Sequence, residues 1–114
     1  MASFTRIPAI SPIEFMKIDG LPYEAWAVMS VDGVSTPLDL STYTAKFVVL
    51  SKSGAVVYQS TDVDMDDEGH ILHPITPETV ADWTLCPERY YLQVFPVSGN
   101  PLTLFKGPFN ALDV

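Results

Sequence analysis

Tyr43-Thr44-Ala45-Lys46-Phe47-Val48-Val49-Leu50-Ser51-Lys52-Ser53-Gly54 decides the fold class. Tyr43, Ala45, Phe47 and Val49 form one apolar face, with Thr44 and Lys46 opposite; a period of two marks a half-buried strand. Ser51 to Gly54 supplies turn chemistry, and residues 55–60 read as the returning strand of a hairpin. Residues 89–97 repeat the pattern, with Tyr90, Leu92 and Val94 on one side and Arg89, Tyr91, Gln93 and Phe95 on the other. Further strands are expected at 13–18, 23–31, 70–75, 102–106 and 109–114. All the Gly and most of the Pro fall between these runs rather than inside them. Asp32-Gly33 is a tight-turn signal, and Gly107-Pro108 marks a bend or bulge. One segment departs from the pattern. Thr76 as N-cap, Pro77 at the first helical position and Glu78 in the first turn predict a short helix over residues 77–84, stopped before Pro87. Strands do not alternate with helices, so the expected fold is all-β: an antiparallel two-sheet sandwich of about seven strands with one short helix.

The chain has 114 residues, 47% of them apolar, enough for one domain with its own core. Its 6 Lys+Arg against 14 Asp+Glu give a net charge of −8. Scattered bases in an acidic chain argue against nucleic acid and against an anionic membrane surface. No apolar run approaches the ~20 residues of a membrane span. After Arg6 the sequence is interrupted by Pro8 and Pro12, so no export signal is read, and residence beginning in a cytoplasm is expected. Cys86 is the single cysteine and is expected to be buried as a small hydrophobe.

The acidity is concentrated. Asp62, Asp64, Asp66, Asp67 and Glu68 are five of the fourteen acids, and without them nine acids face six bases. Asp62, Asp64 and Asp66 copy the alternate ligand positions of a calcium loop, which makes them a weak Ca²⁺ candidate. Asp67 stands where such a loop needs Gly, and His73 where it needs Glu. A solvated acidic loop, or a docking surface for a basic partner, are the other readings. His70 and His73 are three apart in an extended segment and point to opposite faces, so they do not share a metal. No cofactor is expected. No nucleophile–base–acid set, Gly-rich phosphate loop or Cys pair is present, and the chain is not read as an enzyme. Of thirteen aromatics, Trp26, Trp83, Tyr23, Tyr58 and Tyr91 have the chemistry to stack on sugars, although most aromatics are expected in the core.

Residues 1–12 read as an extended arm, apolar at Phe4, Ile7 and Ile10 but broken by Pro. The arm either lies across a neighbouring subunit or packs on its own domain, residues 13–114. With Tyr91 and Phe95, which point away from the core side of their strand, Phe4, Ile7 and Ile10 are the candidate interface residues.

Two resemblances refine this reading. Pro77-Glu78-Thr79-Val80-Ala81-Asp82-Trp83, leading into Glu88-Arg89-Tyr90-Tyr91-Leu92-Gln93-Val94, resembles the E–F corner of immunoglobulin-like sandwiches, where Tyr90 or Tyr91 would hydrogen-bond back to the corner. The order Asp39-Leu40-Ser41-x-Tyr43-Thr44-Ala45, Gly69-x-Ile71, Arg89-Tyr90-Tyr91-Leu92 and Leu104-Phe105-x-Gly107-x-Phe109 is similar to small Ig-like β-sandwich proteins of tailed-bacteriophage virions. These include baseplate and tail-associated domains such as the N-terminal domain of the lactococcal phage upper baseplate protein. The likeness covers about two-thirds of the chain. It implies a virion structural protein, in the tail, baseplate or head, assembled in the host cytoplasm. Such a protein contacts other virion proteins and copies of itself as a symmetric homo-oligomer. A carbohydrate-binding module for host-surface recognition is the alternative.

Overall fold

The structure, a computed structural model, describes residues 9–113. In chain order its elements are β1 (Ala9–Ile10), β2 (Ile13–Met16), β3 (Leu21–Trp26), β4 (Val28–Val31), β5 (Val34–Pro37), β6 (Thr44–Ser51), β7 (Val56–Ser60), β8 (Asp64–Met65), β9 (His70–Ile75), α1 (Pro77–Ala81), β10 (Pro87–Phe95) and β11 (Leu102–Leu112). The larger sheet runs β1-β11-β10-β6-β7, with β2 also on β11, and the smaller runs β3-β9-β8. β4 and β5 form a separate hairpin. The fold is thus an all-β sandwich of two sheets with one short helix.

Alternation drives the packing. On β6, Ala45, Phe47, Val49 and Ser51 are buried on the core side and Val48 on the other, and on β10 Tyr90, Leu92 and Val94 are buried. The smaller sheet contributes Tyr23, Ile71, His73 and Ile75. The sheets meet through rings: Tyr23 lies edge-on to Phe47 at 5.0 Å, Phe47 stacks on Tyr90 at 5.5 Å, and Phe109 contacts both. Aromatic pairs at such spacings add to the hydrophobic gain of burial.

The sequence expectation differs from this structure in several places, each with a local cause. The strand expected over 23–31 breaks at Ala27. Its N–H donates to Gly69 O (2.8 Å) and its carbonyl accepts from Leu38 N (3.0 Å), so the chain leaves the small sheet there. Gly69 must be glycine: its φ is +78°, and a Cβ would collide with the Ala27 carbonyl. Beyond the break, Asp32 (φ 52°) and Gly33 (φ 80°) close the two-residue turn between paired Val31 and Val34. β5 and β8, which lack apolar alternation, are additional strands.

The helix ends at Ala81 rather than 84. Thr76 Oγ1 caps it by accepting from Thr79 N, as expected. Asp82 N and Trp83 N then bond back three residues, which tightens the last turn and swings Trp83 onto Tyr58 (5.6 Å) and Phe109 (5.8 Å). Trp83 takes the partly buried place after the helix, and Cys86, expected inside, is exposed.

Residues 102–112 form one strand, not two. Its partner changes at Gly107, from β1 (Ile10 opposite Lys106) to β2 (Ile13 opposite Phe109), both parallel. Ser11 crosses there, and a Cβ on Gly107 would stand 3.0 Å from the Ser11 carbonyl. That carbonyl accepts a 2.6 Å hydrogen bond from the Tyr90 hydroxyl. The Tyr90 bond thus ties down the β1–β2 crossing, not the α1 corner that the sequence suggested. Residues 9–12 of the stretch read as an arm therefore lie along the protein's own sheet edge.

Candidate functional site

The two histidines have different surroundings. His73 is buried, with Nδ1 2.7 Å from the Asp62 carbonyl and Nε2 2.9 Å from the Tyr58 hydroxyl. A carbonyl only accepts, so Nδ1 carries the proton and Nε2 accepts from Tyr58. Burial lowers the His73 pKa, against the opposing pull of the Asp62 carbonyl and the Asp62 and Asp64 charges. The folded state therefore favours the neutral ring. Its contribution to stability is complete above the unfolded value of 6.5 and is lost as pH falls below 6.5 toward the lowered folded value. Imidazole ¹⁵N shifts followed by NMR are expected to show the Nδ1–H tautomer at pH 7 and a midpoint below 6.5; a midpoint above 6.5 refutes the assignment.

His70 lies on the opposite side of β9, as the strand period requires. Its Nε2 is 2.7 Å from Glu24 Oε2, its Nδ1 is 3.9 Å from Asp66 Oδ2, and its ring stacks under Trp26 at 5.1 Å. Trp26 is 59% exposed. Pairing of Glu24 with Leu72 and of Asp64 with Leu72 sets both carboxylates in one row beside it. The outer face of the small sheet is therefore acidic around an exposed indole.

The three candidate calcium ligands are not brought together. The Asp62 backbone N–H bonds Ser60 Oγ, and Asp64 belongs to β8. Asp66 Oδ1 accepts from Glu68 N (2.9 Å) and His70 N (3.0 Å), so it shapes the turn. Among the described residues no three His, Cys, Asp or Glu side chains converge as a metal site.

The opposite outer face belongs to the larger sheet. The register sets Tyr91 beside Val48 and Lys106, Arg89 beside Leu50, and Gln93 beside Lys46. Between β1, β6, β10 and β11 lies a groove of about 420 Å³, walled by Ile10, Leu50, Tyr91 and Pro108 and flanked by Arg89 and Lys106. Of the expected interface residues, Ile10 and Tyr91 meet in this groove. Phe95, four residues along β10, lines a separate polar groove with Thr44, Lys46, Gln59, Ser60 and Thr61. Phe4 and Ile7 lie outside the described residues. Trp26 entered the sequence reading only among aromatics suited to sugars, and Lys46, Arg89 and Lys106 were not singled out. Their signal is the alternation itself, which puts Lys46 and Arg89 on the side of Tyr91.

Among the described residues no helix is long and apolar enough to cross a membrane. No protein-family model matches the chain, and no curated protein matches it at a significant level.

Proposed function

We propose that the chain is a structural protein of a bacteriophage virion, in the tail, baseplate or head, acting through protein–protein contacts in a symmetric assembly. The observation that carries this reading is the pair of outer faces. Each sheet turns large apolar side chains to solvent, Ile10 at 73% exposure on one side and Trp26 at 59% on the other, with charges of opposite sign around them. Uncovered apolar surface rimmed by polar groups is characteristic of interfaces. The strand order supports an immunoglobulin-like reading of the sandwich, in line with the sequence resemblance to virion domains. Partners are then other virion proteins and further copies, met in the host cytoplasm during assembly. Mass spectrometry of gradient-purified particles of the encoding phage tests this. Tryptic peptides of the chain at structural-protein abundance are expected; their presence in the lysate but not in particles overturns the proposal.

One observation favours a second reading, a carbohydrate-binding module. An exposed indole flanked by Glu24, His70 and Asp66 is a platform on which a sugar ring can stack while carboxylates accept its hydroxyl protons. Glycan-array binding that disappears in Trp26→Ala would support it.

A further inference from the structure

We infer that copies of this chain join head to tail, the Trp26 face of one copy seated in the Ile10–Tyr91 groove of the next. The inference rests on the proposed role in symmetric contacts and specifies the surface that makes them. Three observations carry it.

The charges are complementary. Lys46, Arg89 and Lys106, three of the six Lys+Arg of the chain, are on the outer side of the larger sheet. The acids on the strands of that sheet are Glu14, at the far corner on β2, and Glu88, next to Arg89 on β10, so the cations outnumber them three to two. On the other sheet Glu24 and Asp66 flank the His70 ring on which Trp26 stacks, Asp64 stands opposite Leu72, and Asp62, Asp67 and Glu68 lie in the adjoining loop. Copies meeting through two like faces would oppose charges of one sign, whereas unlike faces pair base with acid.

The shapes are complementary as well. The groove is concave and mainly apolar in its walls, with its cations beside it. Trp26 is a large ring, 59% exposed, that stacks on His70, and His70 in turn bonds Glu24. Trp in a desolvated pocket is a frequent centre of binding energy, and a cation beside an indole adds attraction.

The two faces lie on opposite sides of the sandwich. A contact between them is heterologous, so each copy keeps one free face, and association proceeds to a closed ring or a filament rather than stopping at a two-fold dimer.

Sedimentation velocity of the full chain, over a concentration series in about 50 mM and about 500 mM salt, tests the inference. Mass is expected to grow with concentration, less so at the higher salt. Trp26→Ala and Lys106→Glu are each expected to weaken association about tenfold or more. Both sites are exposed, and an unchanged circular dichroism melt confirms that each variant folds. The two variants are then mixed. Trp26→Ala keeps an intact groove and Lys106→Glu keeps an intact Trp26 face, so the mixture is expected to form one-to-one dimers. A wild-type chain that stays monomeric, or a mixture no larger than its separate components, overturns the inference. Virions that contain the chain while the pure protein stays monomeric would defeat the head-to-tail contact alone. Self-assembly of a chain absent from virions would defeat the virion role alone.

Discussion

Phe47→Ala is expected to destabilise the protein by about 3–5 kcal/mol, the range for truncating a buried aromatic. Phe47 is fully buried on β6, and its ring meets Tyr23, His73, Tyr90 and Phe109, so it touches both sheets and β11 at once. Alanine leaves a cavity walled by rings whose positions are fixed by strand pairing, which limits collapse into the space. Against a total stability of roughly 5–15 kcal/mol, a loss of this size is a fifth or more. Urea unfolding followed by tryptophan fluorescence measures it, with the midpoint expected to fall by on the order of 2 M. A loss under about 1 kcal/mol would show that the sheets are not packed through this ring.

The second large effect comes from one hydroxyl. Tyr90→Phe is expected to cost roughly 1–3 kcal/mol, because it leaves the Ser11 carbonyl without its 2.6 Å donor at the crossing from β1 to β2. Tyr23→Phe removes the same group from a neighbouring core ring, and its expected cost is near zero. Tyr23 Oη is buried without a partner in hydrogen-bond geometry among the described residues, so deleting it removes a desolvated polar atom. Burial raises the pKa of both phenols, so the comparison at pH 7 is between neutral hydroxyls. Equal losses in the two variants would show that the Ser11 bond contributes nothing. Hydrogen exchange adds a local readout. The Ser11 amide, bonded to Lys106 O at 2.9 Å, is expected to exchange faster in Tyr90→Phe and at an unchanged rate in Tyr23→Phe.

The all-β class and the central strands were legible because β6 and β10 carry alternating apolar residues on their core side and β6 runs into a hairpin turn toward β7. The two histidines were legible for the same reason, since a strand settles which sides residues three apart occupy. Reading failed where long-range contacts decide. Nothing local to residues 23–31 announces that Ala27 will be held by Gly69, some forty residues on. Nothing near Cys86 announces that Trp83 will take the space beside Phe109. β5 and β8 are strands by pairing rather than by pattern. The candidate site divides along the same line. Tyr91 was found as an outward aromatic and Ile10 as an apolar residue of the arm, but their meeting depends on β1 lying parallel to β11, which no periodicity reveals. The acidic run suggested a metal loop because spacing in sequence is visible, whereas the use of Asp66 by backbone donors of its own turn is not.

The parallel pairing of β1 and β2 with β11 also orders the folding of the molecule in time. Hairpins such as β6–β7 can form as soon as both strands exist, from contacts a few residues apart. The first two strands have no such neighbour: their partner is β11, ninety-six residues further along the chain. Closing that distance is among the slowest contacts the chain makes, because loop-closure entropy must be spent before pairing returns anything. During synthesis, Ile13 and Phe15 therefore wait without their cover until residues 102–112 have emerged. The lock at Ser11, Tyr90 and Gly107 can shut only once Gly107 has emerged, well after the β6–β7 hairpin is free to form.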